Sequence, residues 1–252
     1  MELVRAAQLA LSCLDLTNLD DACKPEDIDT LCARARSPHG PVAAVCIWPR
    51  FVARARELLA GGPVRIATVV NFPTGEEPAG AVMEMTRKAV GDGADEIDLV
   101  IPYRELMEGA SEPVLTRLRR VKESADGRTV KAILETGVLE DEALIREACR
   151  LAIEGGADFL KTSTGKVRVN ATLRAGRIML EEIAASGAEV GFKPAGGIRT
   201  TEDAAAYIAL AEEVMGQGWV SPKTFRIGAS SVYDALIATI EGTGPAPGTD
   251  GY

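Results

Sequence analysis

The chain has 252 residues, of which 46 % are hydrophobic and 26 % charged, with a formal net charge of −9. That length and balance fit a soluble globular protein of one large domain or two small ones. The negative balance argues against nucleic acid and anionic membrane surfaces as partners, and an anionic small substrate would need a local cluster of cations.

The N-terminal stretch "MELVRAAQLALSCL" has a short apolar run, but Glu2 and Arg5 lead into an amphipathic pattern and Gln8 interrupts it. This predicts a surface helix rather than a signal peptide, and no later segment is long enough to span a bilayer. A rhythm of strands and helices follows. The strand "LSCLDLT" precedes the helix "PEDIDTLCARARS", and "VAAVCIW" precedes "RFVARARELLA". "RIATVVNF" is followed by "GAVMEMTRKAV", then come "EIDLVIP", "TVKAILETG" and the helix "EDEALIREACRLAIEGG". "DFLKTSTG", "EVGFKPAGG", the helix "TEDAAAYIALAEEVMG" and "TFRIGASS" complete the series. Apolar residues in the helices recur at three- and four-residue spacing, with charges between them. In "VGDGAD" and "IEGGAD" glycine ends a helix before the next strand begins.

Nearly continuous apolar strands joined by helical crossovers imply a parallel sheet buried on both faces. About eight such units without a composition break predict an α/β fold, a (β/α)8 or TIM barrel with one extra N-terminal helix. An open doubly wound sheet is the alternative, but "CLDLTNLDD" after the first strand has no Gly-rich dinucleotide loop. The expected organisation is a single barrel over 1–240 and a flexible tail over 241–252, "EGTGPAPGTDGY", too rich in Gly and Pro for regular structure. Five scattered cysteines without a C-x-x-C pair read as reduced thiols in a cytoplasmic protein.

Active sites of barrels lie at the C-terminal ends of the strands. Polar groups fall near those ends here: Asp15, Cys46, Asn71, Asp98, Lys131 with Glu135, Lys161, Lys193, and Ser230 with Ser231. Each has a bland reading. Asp15 and Asn71 could cap loops or helices, Cys46 could be a small buried hydrophobe, and Glu135 could pair with Lys131 inside the mouth. His39, the only histidine, reads as a solvated loop residue. Lys161 and Lys193 resist such readings, because lysine is rarely buried without a purpose. They fall on neighbouring strands, about 5 Å apart. Two such ammonium groups repel, so one of the pair is expected to titrate well below the free-lysine value of roughly 10.4. A neutral amine attacks carbonyl carbon, and a carboxylate from Asp98 can move protons or hold the second lysine charged. Amine, cation and carboxylate together predict an iminium-forming site. Asp15, Cys46 and Lys131, with Thr162, Gly165 and Lys166 around Lys161, are candidate substrate contacts.

Two turns read as phosphate-binding. "PAGGIRT" places Gly196 and Gly197 after the seventh strand, and "RIGASS" places Gly228, Ser230 and Ser231 after the eighth. Barrels often hold phosphate between these loops, on backbone N–H groups and a helix N-terminus.

The motifs "DLTNL", "CIWPRF", "NFPTG", "EIDLVIPY", "ILETG", "FLKTSTGKV", "GFKPAGGIRT" and "RIGASS", in this order, resemble the deoxyribose-phosphate aldolase family across essentially the whole chain. The resemblance implies a class I aldolase. It would cleave 2-deoxy-D-ribose 5-phosphate reversibly to acetaldehyde and D-glyceraldehyde 3-phosphate, in deoxyribonucleotide catabolism. It also implies Lys161 as the Schiff-base lysine, Asp98 and Lys193 as the proton-relay pair, and the glycines and serines of the two turns as phosphate contacts. No organic cofactor and no metal are implied. Trp48 in "CIWPRF" departs from the tyrosine expected there and bears on packing beside Cys46. A group of these aldolases is similar to this chain in ending on tyrosine, which makes Tyr252 a candidate proton relay at the end of a Gly/Pro-rich linker. The partners implied are small phosphosugar and aldehyde substrates. The sequence is compatible with a homodimer and does not fix the oligomeric state.

Three other readings compete. A metal-dependent aldolase lacks the usual ligands, since the one histidine lies away from the strand ends. Another lysine aldolase or a transaldolase would share the barrel and the imine, and a substrate panel separates them. A non-catalytic sugar-phosphate sensor would gain little from two close buried lysines and Asp98.

Overall fold

The structure, a computed structural model, describes residues 2–243. Helix α1 (Leu3–Ser12) leads into β1 (Leu14–Asn18) and α2 (Pro25–Arg34), and a small hairpin of β2 (Arg36–Ser37) and β3 (Gly40–Pro41) precedes β4 (Ala44–Ile47). Next come α3 (Val52–Leu58), β5 (Arg65–Val70), α4 (Ala79–Gly91) and β6 (Glu96–Val100). The middle of the chain holds α5 (Tyr103–Met107), α6 (Glu112–Ser124), β7 (Thr129–Ile133), α7 (Thr136–Leu139), α8 (Glu142–Glu154) and β8 (Phe159–Lys161). It ends with α9 (Leu173–Ser186), β9 (Gly191–Lys193), α10 (Thr201–Met215), β10 (Ile227–Ala229) and α11 (Val232–Glu241).

Eight strands pair in the order β10-β1-β4-β5-β6-β7-β8-β9, all parallel. The two ends meet through bridges Phe192↔Phe225 and Ala195↔Gly228. Backbone hydrogen bonds from Arg226 N to Phe192 O (3.0 Å) and from Gly228 N to Pro194 O (2.9 Å) complete the closure. Among the described residues the eight-stranded sheet has no free edge, and the (β/α)8 barrel expected from the sequence is what forms.

The helices pack by the stripes the sequence shows. In α8 the buried residues Ile145, Ala148, Cys149 and Ala152 lie at three- and four-residue steps, and Asp141 caps the helix by accepting from Leu144 N at 3.1 Å. Thr200 and Asp203 form a reciprocal capping box at the start of α10.

Several boundaries differ from the sequence reading. Leu11 and Ser12 belong to the last turn of α1 and not to the first strand. That helix is more than a surface helix: Ala6, Ala7, Ala10 and Leu11 are buried, and it packs on α10 and α11. Lys131 and Asp98 sit at the third position of five-residue strands rather than at strand ends. Helices α5, α6, α7, α9 and α11 and the β2–β3 hairpin add to the elements expected from the sequence. The five cysteines are free and buried. The tail assigned to 241–252 is described only to residue 243, so Tyr252 lies outside the described residues.

Candidate active site

The barrel axis is filled by charge where apolar layers would be ordinary. Asp15, Asp98, Lys131 and Lys193 are wholly buried, and Glu96, Lys161 and Arg226 nearly so. Strand register explains the grouping. Asp98 of β6 stands opposite Lys131 of β7, and Lys161 of β8 stands opposite Lys193 of β9. Gly228, opposite Asp15, leaves the space that Lys193 uses: a Cβ there would lie 3.0 Å from the Lys193 Cε.

Asp98 is the hub. Its Oδ2 accepts from Lys161 at 2.8 Å and from Lys193 at 2.7 Å, while Oδ1 accepts from Lys131 at 2.7 Å. Asp15 takes Lys193 at 2.5 Å, and its other oxygen accepts from Arg226 at 2.8 Å. Below them Arg226 forks onto both oxygens of Glu96, at 2.8 and 2.9 Å, and Lys131 reaches Glu96 at 2.6 Å. The two lysines of the central pair are therefore bridged by one carboxylate oxygen of Asp98.

Burial alone would raise the Asp98 carboxyl, but Lys131, Lys161 and Lys193 outweigh it and hold the acid well below its usual range. Asp15 follows the same logic: burial opposes ionisation, and Lys193, Lys131 and Arg226 prevail. Burial would lower Lys193, yet Asp15 and Asp98 raise it above the free-lysine value. Lys193 is therefore a held cation, and Asp98 is a held anion. Burial pushes the Cys46 thiol up, so it sits neutral 4.0 Å from Asp98.

Above this cluster opens a cavity of about 600 Å³ at the C-terminal end of the barrel, within the range typical of small-molecule sites. Lys161 is the one member of the buried cluster that lines it. Thr164, Gly165 and Lys166 line it too, together with Gly196, Gly197, Gly228, Ser230 and Ser231. Gly197 adopts a positive φ of 82° with nothing within 4 Å of where a Cβ would be, so its backbone faces open space. Gly196 is fixed by packing, since a Cβ would come 2.8 Å from Asn170. Ser231 is the N-cap residue of α11 and lines the cavity, so that helix begins beside it.

Not every expected contact reaches the cavity. Asp15, Cys46 and Lys131 lie beneath it, fully buried, and serve the charge cluster instead. Thr162 is also buried: its Oγ1 accepts from Ala195 N at 2.9 Å and ties the β8 and β9 loops together. Glu135 does not pair with Lys131. It sits in a left-handed conformation (φ 58°) and accepts from Thr164 N at 3.1 Å and Thr164 Oγ1 at 2.6 Å, bracing the loop after Lys161. Burial raises its carboxyl, with the Thr164 bonds opposing. Asn71 proves structural: its amide ties Gly75 O, Val100 O and Glu77 N at 3.0, 2.8 and 2.8 Å. His39 is exposed beside Glu241. Trp48 meets Phe72 edge-on at 5.5 Å and packs on the cluster that contains Cys46.

The sequence reading missed Glu96 and Arg226, whose importance depends on barrel closure. It also missed Thr17 and Asn170 in the cavity wall; the Asn170 Oδ1 is buried with no partner among the described residues.

The profile of the DeoC/LacD family aldolases matches residues 10–226. The chain belongs to that aldolase family. A curated relative from Agrobacterium fabrum, named deoxyribose-phosphate aldolase, is 53 % identical over 257 residues, covering 100 % of this chain and 99 % of the relative. Among solved structures, a Coccidioides immitis protein provisionally identified as a deoxyribose-phosphate aldolase superposes with a TM-score of 0.83 at 30 % identity, covering 95 % of this chain and 87 % of that one. The tetrameric deoxyribose phosphate aldolase from Aeropyrum pernix shares the fold, with a TM-score of 0.77 at 23 % identity over 94 % of this chain and 96 % of its own. Among the described residues no helix is long and apolar enough to cross a membrane.

Proposed function

We propose that this family member is a deoxyribose-phosphate aldolase of class I, which cleaves 2-deoxy-D-ribose 5-phosphate reversibly to acetaldehyde and D-glyceraldehyde 3-phosphate. The observation that carries the reading is Lys161. Its amine lines the cavity, while the carboxylate and second lysine that serve it stay buried directly beneath.

In its unprotonated form the Lys161 amine attacks the C1 aldehyde of the open-chain sugar; a C–N bond forms, and loss of water leaves a protonated imine. The C3 hydroxyl then gives up its proton and becomes a carbonyl. The C2–C3 bonding pair moves to C2, and the iminium nitrogen takes up the electrons as an enamine. D-Glyceraldehyde 3-phosphate leaves. Protonation of the enamine carbon and hydrolysis release acetaldehyde and restore the amine. Asp98 and Lys193 are wholly buried and do not line the cavity, so their protons are proposed to reach substrate through water. The phosphate is held by Lys166, the N–H groups around Gly197, and Ser230 with Ser231 at the start of α11. Tyr252 is proposed to relay a proton to the enamine carbon. The same reading has the enzyme working in the cytoplasm, and it is compatible with a homodimer without requiring one.

A coupled assay for D-glyceraldehyde 3-phosphate tests the reading, run beside a panel of donors. Acetaldehyde as the preferred donor in the synthetic direction is the expected result. Preference for a ketone donor such as dihydroxyacetone would assign the lysine to a different aldolase reaction.

A further inference from the structure

Arg226 and Glu96 lie at the opposite end of the buried cluster from the cavity, and neither belongs to the reaction just described. Their geometry is nonetheless the most exacting in the barrel. The Arg226 guanidinium makes a fork onto Glu96 and a third bond to Asp15, and its Nε donates to Pro222 O at 2.6 Å. Such a fork is a costly object to bury for packing alone, since apolar residues of the same volume often serve as well.

Charge counting gives it a purpose. Four cationic side chains, Lys131, Lys161, Lys193 and Arg226, share three carboxylates, Asp15, Glu96 and Asp98. With every lysine protonated, the cluster carries one positive charge in surplus. The surplus has an obvious place to leave. Lys131 touches all three carboxylates, Lys193 touches two, and Arg226 touches two. Lys161 has Asp98 alone, and it alone lines the cavity. We infer that Arg226 and Glu96 set the protonation of the Lys161 amine from the far end of the barrel, Arg226 supplying the surplus charge that expels the proton and Glu96 limiting it. The inference rests on the reading of Lys161 as the imine-forming residue. Neither residue touches substrate; both act through Lys161.

The other groups facing Lys161 stand outside this ion-paired count and are the same in every variant proposed below. Cys46 from β4 is a neutral thiol, raised by burial. Glu135 comes nearest from the loop after β7; both its oxygens are taken by Thr164 and it forms no ion pair among the described residues, but its charge still reaches Lys161, so when ionised it offsets part of the surplus equally in every variant. Burial also favours its neutral form. Lys166 stands at the cavity wall, and its charge acts in the same direction as Arg226.

The experiment follows imine formation between acetaldehyde, which carries no titratable group, and the enzyme, trapped by cyanoborohydride over a range of pH. Loss of the Arg226 charge in Arg226→Met raises the proton affinity of Lys161, so the acid limb of the rate profile moves to higher pH. Loss of the Glu96 charge in Glu96→Gln does the reverse. A unit charge acting over about 10 Å at an effective dielectric of about 20 moves a titration by about one pH unit, which sets the expected size. Arg226→Lys keeps the charge and should leave the limb in place, and the double variant Arg226→Met with Glu96→Gln should return it toward wild type. If Arg226→Met does not fold, Glu96→Gln decides alone. Shifts in the same direction for both variants, or no shift for Glu96→Gln, would overturn the inference. Absence of any adduct on Lys161 in the wild type would instead overturn the imine reading beneath it.

Discussion

Replacing Asp98 with asparagine keeps the shape of the side chain and removes its charge, and the cluster says where the loss falls. Asp98 accepts from three lysine side chains at 2.7–2.8 Å. Lys193 keeps Asp15 at 2.5 Å and Lys131 keeps Glu96 at 2.6 Å. Lys161 keeps no carboxylate within 4.0 Å among the described residues. Removing one partner of a buried charge cluster destabilises by about 3–5 kcal/mol, and release of the Lys161 proton relieves part of that, so a loss near 3 kcal/mol is expected. Chemistry should divide in the same way. Imine formation on Lys161 persists in Asp98→Asn, because the amine gains nothing by keeping its proton. The proton transfers that follow are lost, and kcat falls roughly 10² to 10⁴-fold with KM little changed. Urea unfolding, steady-state kinetics and borohydride trapping on one preparation measure all three. A kcat within about fivefold of wild type, or a folded variant that no longer traps acetaldehyde, would refute the reasoning.

Lys193→Leu should lower kcat as strongly as Asp98→Asn while circular dichroism reports an intact fold; a change confined to KM would make Lys193 a binding residue. Gly197→Leu places a side chain in the open space beside the turn proposed to hold phosphate, at a φ of 82° that disfavours it. Cleavage of 2-deoxyribose 5-phosphate should therefore fall much further than cleavage of 2-deoxyribose, and equal losses would put the phosphate elsewhere. Acid stability follows from the depressed carboxyls of Asp15 and Asp98. Their contribution is complete above the unfolded value of about 3.9 and is lost as pH falls toward their folded values, so urea midpoints should drop below pH 4 and drop less in Asp98→Asn. Tyr252→Phe should slow exchange of acetaldehyde methyl protons with deuterated water and leave adduct formation untouched; wild-type exchange would leave the tyrosine without a role.

The barrel could be read from the chain because its strands are apolar on both faces and its helices carry one apolar stripe. The lysines could be read because a cation after Phe159 and Leu160, or after Phe192, has no cheap place to go. What escaped was whatever depends on closure. Arg226 precedes the short run Ile227–Ala229 and Glu96 opens "EIDLVIP", so each looks like an ordinary charge at a strand start. Only when β10 meets β1 and β9 do they face each other across the barrel. Asp15 meets Lys193 across 178 positions of sequence for the same reason. Lys131 was expected at a strand end because polarity marks a residue as interesting without saying how deep it lies; register with Asp98 is what puts it under the cavity. Asn170 lies in a loop where nothing periodic surrounds it.

The account turns on one covalent bond, between the Lys161 nitrogen and the aldehyde carbon. Peptide mass spectrometry after incubation with acetaldehyde and borohydride reads that bond directly. One reduced two-carbon adduct on the peptide that contains Lys161, absent in Lys161→Leu, is the predicted result. An adduct on Lys193 in place of Lys161, or on exposed lysines alone, would contradict it.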